Sequence, residues 1–244
     1  MKVSLTLIAL VSALILTGCK SRPISNSGYD NNWSYKGELS ELSVLGVAGS
    51  KNISEADIQE AATTRGSIRI NRSDKIVLVQ SGTQFPDDSL MKEAEKYYRV
   101  IPLSGIPSRN NNGYDWQRSK NKEEIPKLDM AFRLTAAKAG AETLIVYWGV
   151  LESAREGYAT KTISWVPIVG SLLPDEEQQM RIRLKAAIID VKTSYWEMLI
   201  PEVYEDEIQS AGINRKQKDQ KQVALLKERG YKRLIADIQT RFEG

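Results

Sequence analysis

Apolar residues follow four rhythms along this chain, and each predicts a different element. The first is a largely apolar run from Val3 to Leu16, free of charge, behind Met1-Lys2, that closes on Leu16-Thr17-Gly18-Cys19. It falls short of the roughly 18 residues of a spanning helix and lacks a basic stop-transfer flank, so it predicts a signal peptide over 1–18. The second rhythm is near absence. From Lys20 to Gly37, Ser, Asn and Gly dominate, with Tyr29, Trp33 and Tyr35 as the large exceptions. A stretch with so little to bury predicts a flexible tether over 19–50.

The third rhythm alternates helical spacing with short apolar runs. Ser54 as N-cap, Glu55 and Asp57 in the first turn, and Ile58, Ala61 and Ala62 on one face predict a helix that Gly66 closes. Ser67 to Asn71 reads as a short extended piece and Lys75 to Gln80 as a buried strand. Pro86 opens a helix carrying Leu90, Met91, Ala94 and Tyr97, and a strand follows from Tyr98 to Leu103. After a long Pro-, Asn- and Gly-rich loop, Pro126 begins a helix to Ala139 with Leu128, Phe132 and Ala136 inside, stopped by Gly140. Thr143 to Leu151 is the most apolar strand, as expected at the centre of a covered sheet.

The fourth rhythm has period two. Tyr158 to Trp165, Met180 to Val191 and Tyr195 to Tyr204 alternate like sheet strands, with a hairpin at Asp190-Val191-Lys192-Thr193. Arg215 to Phe242 returns to helical spacing through Tyr231, Leu234, Ile235 and Ile238, with a break expected at Gly230. The predicted fold class is therefore α/β (α+β): a mixed sheet with a β-α-β-α-β start, an antiparallel meander and a C-terminal helix. The α/β domain is expected over 51–210 and a helical extension over 211–244.

Composition narrows the chemistry. The chain has 41% hydrophobic and 27% charged residues, a net charge of +3, no His and a single Cys. Without His there is no Ser-His-Asp or Cys-His nucleophile system and no ordinary zinc site, so no catalytic residue, metal or cofactor is expected. A lone Cys precludes an internal disulfide. The charges interleave without a concentrated basic face, which argues against a nucleic-acid partner.

Leu16-Thr17-Gly18-Cys19 resembles the bacterial lipobox, in which a peptidase cuts before a Cys that carries diacylglycerol and then accepts an N-acyl chain. The resemblance implies lipidation at Cys19 and attachment to a membrane through that lipid. Lys20 follows, where this family uses Asp as the usual inner-membrane retention signal, which implies an outer-membrane lipoprotein facing the periplasm. The body resembles, through Lys75 to Val79, Ala139 to Val146 and Ala187 to Thr193, a periplasmic α/β module. That module is shared by the curli-secretion channel lipoprotein, the amino-terminal domain of the Tol propeller protein and a lipoprotein activator of a penicillin-binding protein. It implies a non-catalytic role in envelope binding or assembly, with other envelope proteins or a second copy as partner. In the family a Gly usually follows the hairpin Thr; here Ser194 stands there.

Two further stretches invite functional readings. Ile163 to Pro174 is too apolar for a solvated loop and too broken for a regular strand. Trp165, Val166, Ile168, Val169, Leu172 and Leu173 make it either a partner-contacting arm or a loop folded over the core, and partner contact is the expectation carried forward. The acidic residues Glu202, Glu205 and Glu207 raise the alternative of a carboxylate-based enzyme acting on cell-wall glycan. A structural subunit of an envelope machine is the third reading.

Overall fold

The computed structural model describes residues 23–26, 35–48, 53–64, 66–107, 127–156, 163–167, 177–209 and 215–243. Helices α1 (Glu41–Val44) and α2 (Glu55–Thr63) precede strand β1 (Lys75–Ser81). There follow α3 (Asp88–Ala94), β2 (Arg99–Gly105), α4 (Leu128–Lys138) and β3 (Thr143–Glu156). Strands β4 (Ile163–Pro167), β5 (Glu177–Asp190), β6 (Trp196–Leu199) and β7 (Tyr204–Gln209) lead to the long helix α5 (Arg215–Phe242).

All seven strands form one mixed sheet, in the order β2-β1-β3-β5-β6, with β4 on β3 and β7 on β5. β1 is parallel to both β2 and β3, and the remaining pairs are antiparallel. The chain steps from β1 to one side and then back past it to the other. Right-handed crossovers therefore put α3 and α4 on opposite faces of the sheet. The apolar residues divide accordingly. Ile76, Leu78, Ile145, Tyr147, Ile182 and Leu184 pack with Leu90 of α3 and with Tyr231, Leu234, Ile235 and Ile238 of α5. Val77, Val79, Leu144, Val146 and Trp148 pack on the other face with Phe132 and Ala136 of α4 and with Leu39 and Val44.

At 14 residues each, β3 and β5 are twice as long as β1. Their distal halves leave the parallel part of the sheet and carry β4 and β7 on their outer edges.

Several local expectations change in three dimensions. α2 has the predicted N-cap at Ser54, which with Asp57 completes a capping box, yet it ends at Thr63, and none of its residues is buried. Its Ile58 is 52% exposed. Gly66 serves packing instead, because a Cβ there would lie 2.3 Å from the Tyr195 ring. The helices expected from Pro86 and Pro126 start at Asp88 and Leu128. At the first of these, the Asp87 N–H is held outside the helix by a 2.7 Å bond to the buried Gln80 side chain. α5 runs through Gly230 without a break. There the missing Cβ lets the helix approach the sheet, since one would lie 2.9 Å from Ile182 Cγ2.

Candidate functional site

Sheets that reverse direction in this way open a crevice at the carboxyl ends of the strands flanking the reversal, here β1 and β3. β1 ends at Gln80-Ser81 beside Tyr147, while β3 runs on. The open edge of β3 is then taken by Pro23, bridged to Val150, before β4 begins pairing at Glu152. The described parts of the stretch expected to be a tether are thus docked on the body. Gly149 makes room for them: a Cβ there would sit 2.9 Å from Ile24 Cδ1 and 2.6 Å from Leu184 Cδ2.

Buried polar groups fasten the segment on both faces. Gln80 is 0% exposed, and its Nε2 donates to Ser25 Oγ at 3.2 Å. The Ser25 hydroxyl donates in turn to the Ser81 carbonyl. Gln80 Oε1 accepts from the Tyr147 hydroxyl at 2.5 Å and from the Asp87 N–H at 2.7 Å. Asp87 then accepts from the Tyr231 hydroxyl at 2.5 Å and pairs with Lys227 at 2.9 Å. The Tyr147 and Tyr231 rings meet edge to face, 5.9 Å apart. Burial raises both phenols well above their ordinary range, and the nearby Asp87 charge adds to the effect in each. Five elements are joined this way around groups that would be costly to bury unpaired.

On the opposite face the Leu39 N–H donates to Ser81 Oγ at 2.7 Å, and Trp148 Nε1 donates to the Leu39 carbonyl at 2.9 Å. Between this strap and the sheet lies a cavity of about 430 Å³. Pro23, Trp148, Val150 and Ile200 supply apolar wall, and Glu38, Glu41, Arg183 and Lys185 supply charge. Lys185 pairs with Glu41, and its ammonium lies 5.8 Å from the centre of the Trp148 ring. Arg183 reaches Glu152 at 3.5 Å, a carboxylate that Arg181 holds more closely at 2.5 Å. Glu38 Oε1 accepts from the Tyr35 hydroxyl at 3.3 Å, while its buried Oε2 has no hydrogen-bond partner among the described residues. Desolvation holds the Glu38 carboxyl above its ordinary range, although Ser81, Tyr35 and Lys185 pull the other way.

Cys19 lies outside the described residues, as do Ile168, Val169, Leu172 and Leu173 of the expected contact arm. Trp165 and Val166 fall on β4, opposite Ala154 and Ser153 of β3. β4 has β3 as its sole partner among the described strands, so this part of the arm is an edge strand. The acidic trio is divided between the β6–β7 connection and β7. Glu202 pairs with Arg233 of α5 at 2.5 Å, whereas Glu205 and Glu207 sit on β7 opposite Arg181 and Gln179. Among the described residues no cluster of acidic, His or Cys side chains could hold a metal ion, and no helix is long and apolar enough to cross a membrane.

Residue-type reasoning passed over Gln80, Ser25 and Glu38. Gln80 and Ser81 carried a legible sign, polar residues ending an apolar strand before Gly82. Ser25 and Glu38 carried none, because nothing local places them beside that strand.

A family model described as YafT bacterial lipoprotein matches residues 40–241. No curated protein matches the chain. Among solved structures, a neuraminyllactose-binding hemagglutinin homolog from Helicobacter pylori is similar over 72% of this chain and 89% of its own, at 12% identity and a TM-score of 0.28.

Proposed function

Because the chain belongs to the YafT bacterial lipoprotein family, we propose that it is a non-catalytic binding or assembly module of the envelope, anchored by lipid on Cys19. One observation carries the reading. Pro23, four positions after Cys19, bridges to Val150 and lines a 430 Å³ cavity with charged walls, which supports a recognition site near the anchor. The cellular address belongs to the same reading: the outer membrane, with the body facing the periplasm, as Lys20 after the Cys implies. So does the resemblance to the module of the curli-secretion channel lipoprotein and the Tol propeller protein, whose work is assembly. The partner surface is the edge strand bearing Trp165 and Val166 together with the apolar residues after it, Ile168, Val169, Leu172 and Leu173, offered to another envelope protein or a second copy. Within this scheme 1–18 is a removed signal, 51–210 the α/β body and 211–244 its helical extension.

Labelled palmitate tests the anchor. Wild-type protein incorporates it, and Cys19→Ser does not and keeps its signal peptide. Equal labelling of the two proteins overturns the proposal. A photo-crosslinker placed at Trp165 in intact cells then captures the partner. Purified protein that cleaves peptidoglycan, with activity lost in the Glu205→Gln, Glu207→Gln double variant, would establish the carboxylate-enzyme reading instead.

A further inference from the structure

Only three residues separate Cys19 from Pro23, and four residue steps span at most about 14 Å. Pro23 is bridged to Val150 and lines the cavity, so whatever holds Cys19 also holds the cavity within that distance of the membrane. A long tether would let the body tumble freely, and this attachment does not. We propose that the body rests directly on the bilayer, with the cavity receiving a phospholipid headgroup that carries a primary ammonium and a phosphate. This rests on the lipid anchor at Cys19 proposed above.

The cavity's chemistry selects that headgroup. Two carboxylates and two cations line it, so neither a purely anionic nor a purely cationic ligand matches the wall. Glu38 Oε2 is buried and lacks a donor among the described residues, and an ammonium with N–H groups supplies one where a quaternary ammonium has none. Arg183 is the cation best placed for phosphate. Its side chain is 53% exposed, and the one carboxylate it reaches among the described residues is already bonded to Arg181, so guanidinium donors remain for a bidentate contact. Ile200, 67% exposed beside the same cavity, provides an apolar contact at interfacial depth. Lys185 and Glu41 are already paired with each other, and they border the headgroup without binding it.

The test uses the full-length lipidated protein in vesicles. Since the single native Cys is consumed by lipid, a fluorophore on Ile200→Cys, or on Lys232→Cys on the outer side of α5, reports one position each. Vesicles contain phosphatidylcholine alone, or with phosphatidylethanolamine or with phosphatidylglycerol, and carry a headgroup-depth quencher. The Ile200 probe is quenched and the Lys232 probe is not, with strongest quenching in the ethanolamine vesicles. Glu38→Gln weakens that preference about ten-fold, the worth of one hydrogen bond to a charged group. Thermal melts of Glu38→Gln, stable at least as wild type, show that the loss is not unfolding. Equal quenching at both positions overturns the docking, and equal quenching in all three vesicles, or strongest quenching with phosphatidylglycerol, overturns the headgroup assignment. An intact mass that shows no lipid on Cys19 overturns the anchor and with it this inference. Lipid present with both probes equally exposed overturns the docking alone.

Discussion

Ser194 shows how much one residue can carry against its own conformational preference. It sits at φ 63° after the β5–β6 turn, in the left-handed region that costs an L-residue roughly 1–2 kcal/mol. The turn holds it there. Asp190 Oδ1 accepts from both the N–H and the hydroxyl of Thr193 at 2.6 Å, and the Ser194 N–H returns to the Asp190 carbonyl at 3.0 Å. Ser194→Gly removes the strain and loosens the unfolded chain, so the expected net gain is about 0.5–1 kcal/mol. Urea unfolding of the two proteins measures it, and a lower midpoint for Gly would show that the Ser194 side chain matters more than its backbone. The position was legible in the sequence because turn chemistry is local. Glu38 is the opposite case: the strap and β1 that desolvate it meet only in the folded chain.

At the scale of elements, α5 decides how thick the molecule is. Its inner face of Tyr231, Leu234, Ile235, Ile238 and Phe242 is buried, as its spacing predicted, and Leu226 extends it. Gly230 lies within that face. A β-carbon would lie 2.9 Å from Cγ2 of Ile182, a β-branched side chain with little rotamer freedom, and 3.3 Å from Leu184 Cδ1. Overpacking of this kind costs about 1–3 kcal/mol, more than the roughly 1 kcal/mol that alanine gains in helix propensity. Gly230→Ala is therefore expected to melt several degrees lower by circular dichroism. An equal or higher melting temperature would mean that the helix bends at Gly230 after all. Glycine in a helix reads as a break when only the helix is considered, and as a contact once the sheet is there. α2 errs in the other direction: its cap formed as written, but an apolar stripe of one Ile and two Ala found no described surface to cover.

For the whole molecule, the buried tyrosines set an alkaline limit. Tyr147 and Tyr231 join β3 to α5 through Gln80 and Asp87, and Tyr98, close to α5's carboxyl end, is pushed up to about 12 chiefly by burial. A phenol whose folded pKa is raised binds its proton more tightly when folded. Stability is therefore full below about pH 10, where unfolded tyrosines are still protonated, and falls as pH rises beyond it. Each such tyrosine removes up to about 1.4 kcal/mol per pH unit. Denaturant midpoints between pH 9 and 11.5 should hold steady and then drop, with Tyr147→Phe dropping less steeply. A flat profile would mean that these hydroxyls reach water.

The β-α-β-α-β start, the central place of β3 and the inner face of α5 followed from sequence alone, because each depends on the spacing of residues within one element, whereas the stretch expected as one strand over Tyr195–Tyr204 is two, β6 and β7, paired to different parts of β5. What the tertiary structure decided was where distant pieces meet: Pro23 bridging to the edge of β3, Gln80 bonding Ser25, Tyr147 and the Asp87 N–H, and Glu38 partly desolvated in the cavity that Arg183 and Lys185 also line. The stretch 19–50 read as a tether because its composition holds few groups to bury. Its described parts, 23–26 and 35–48, dock because Ile24 and Leu39 reach apolar surface on the sheet, and Gly149 gives Ile24 the space. Periodicity reports how an element divides its own faces between core and water. Which partner covers a face is fixed by chain geometry, and only the folded molecule contains it.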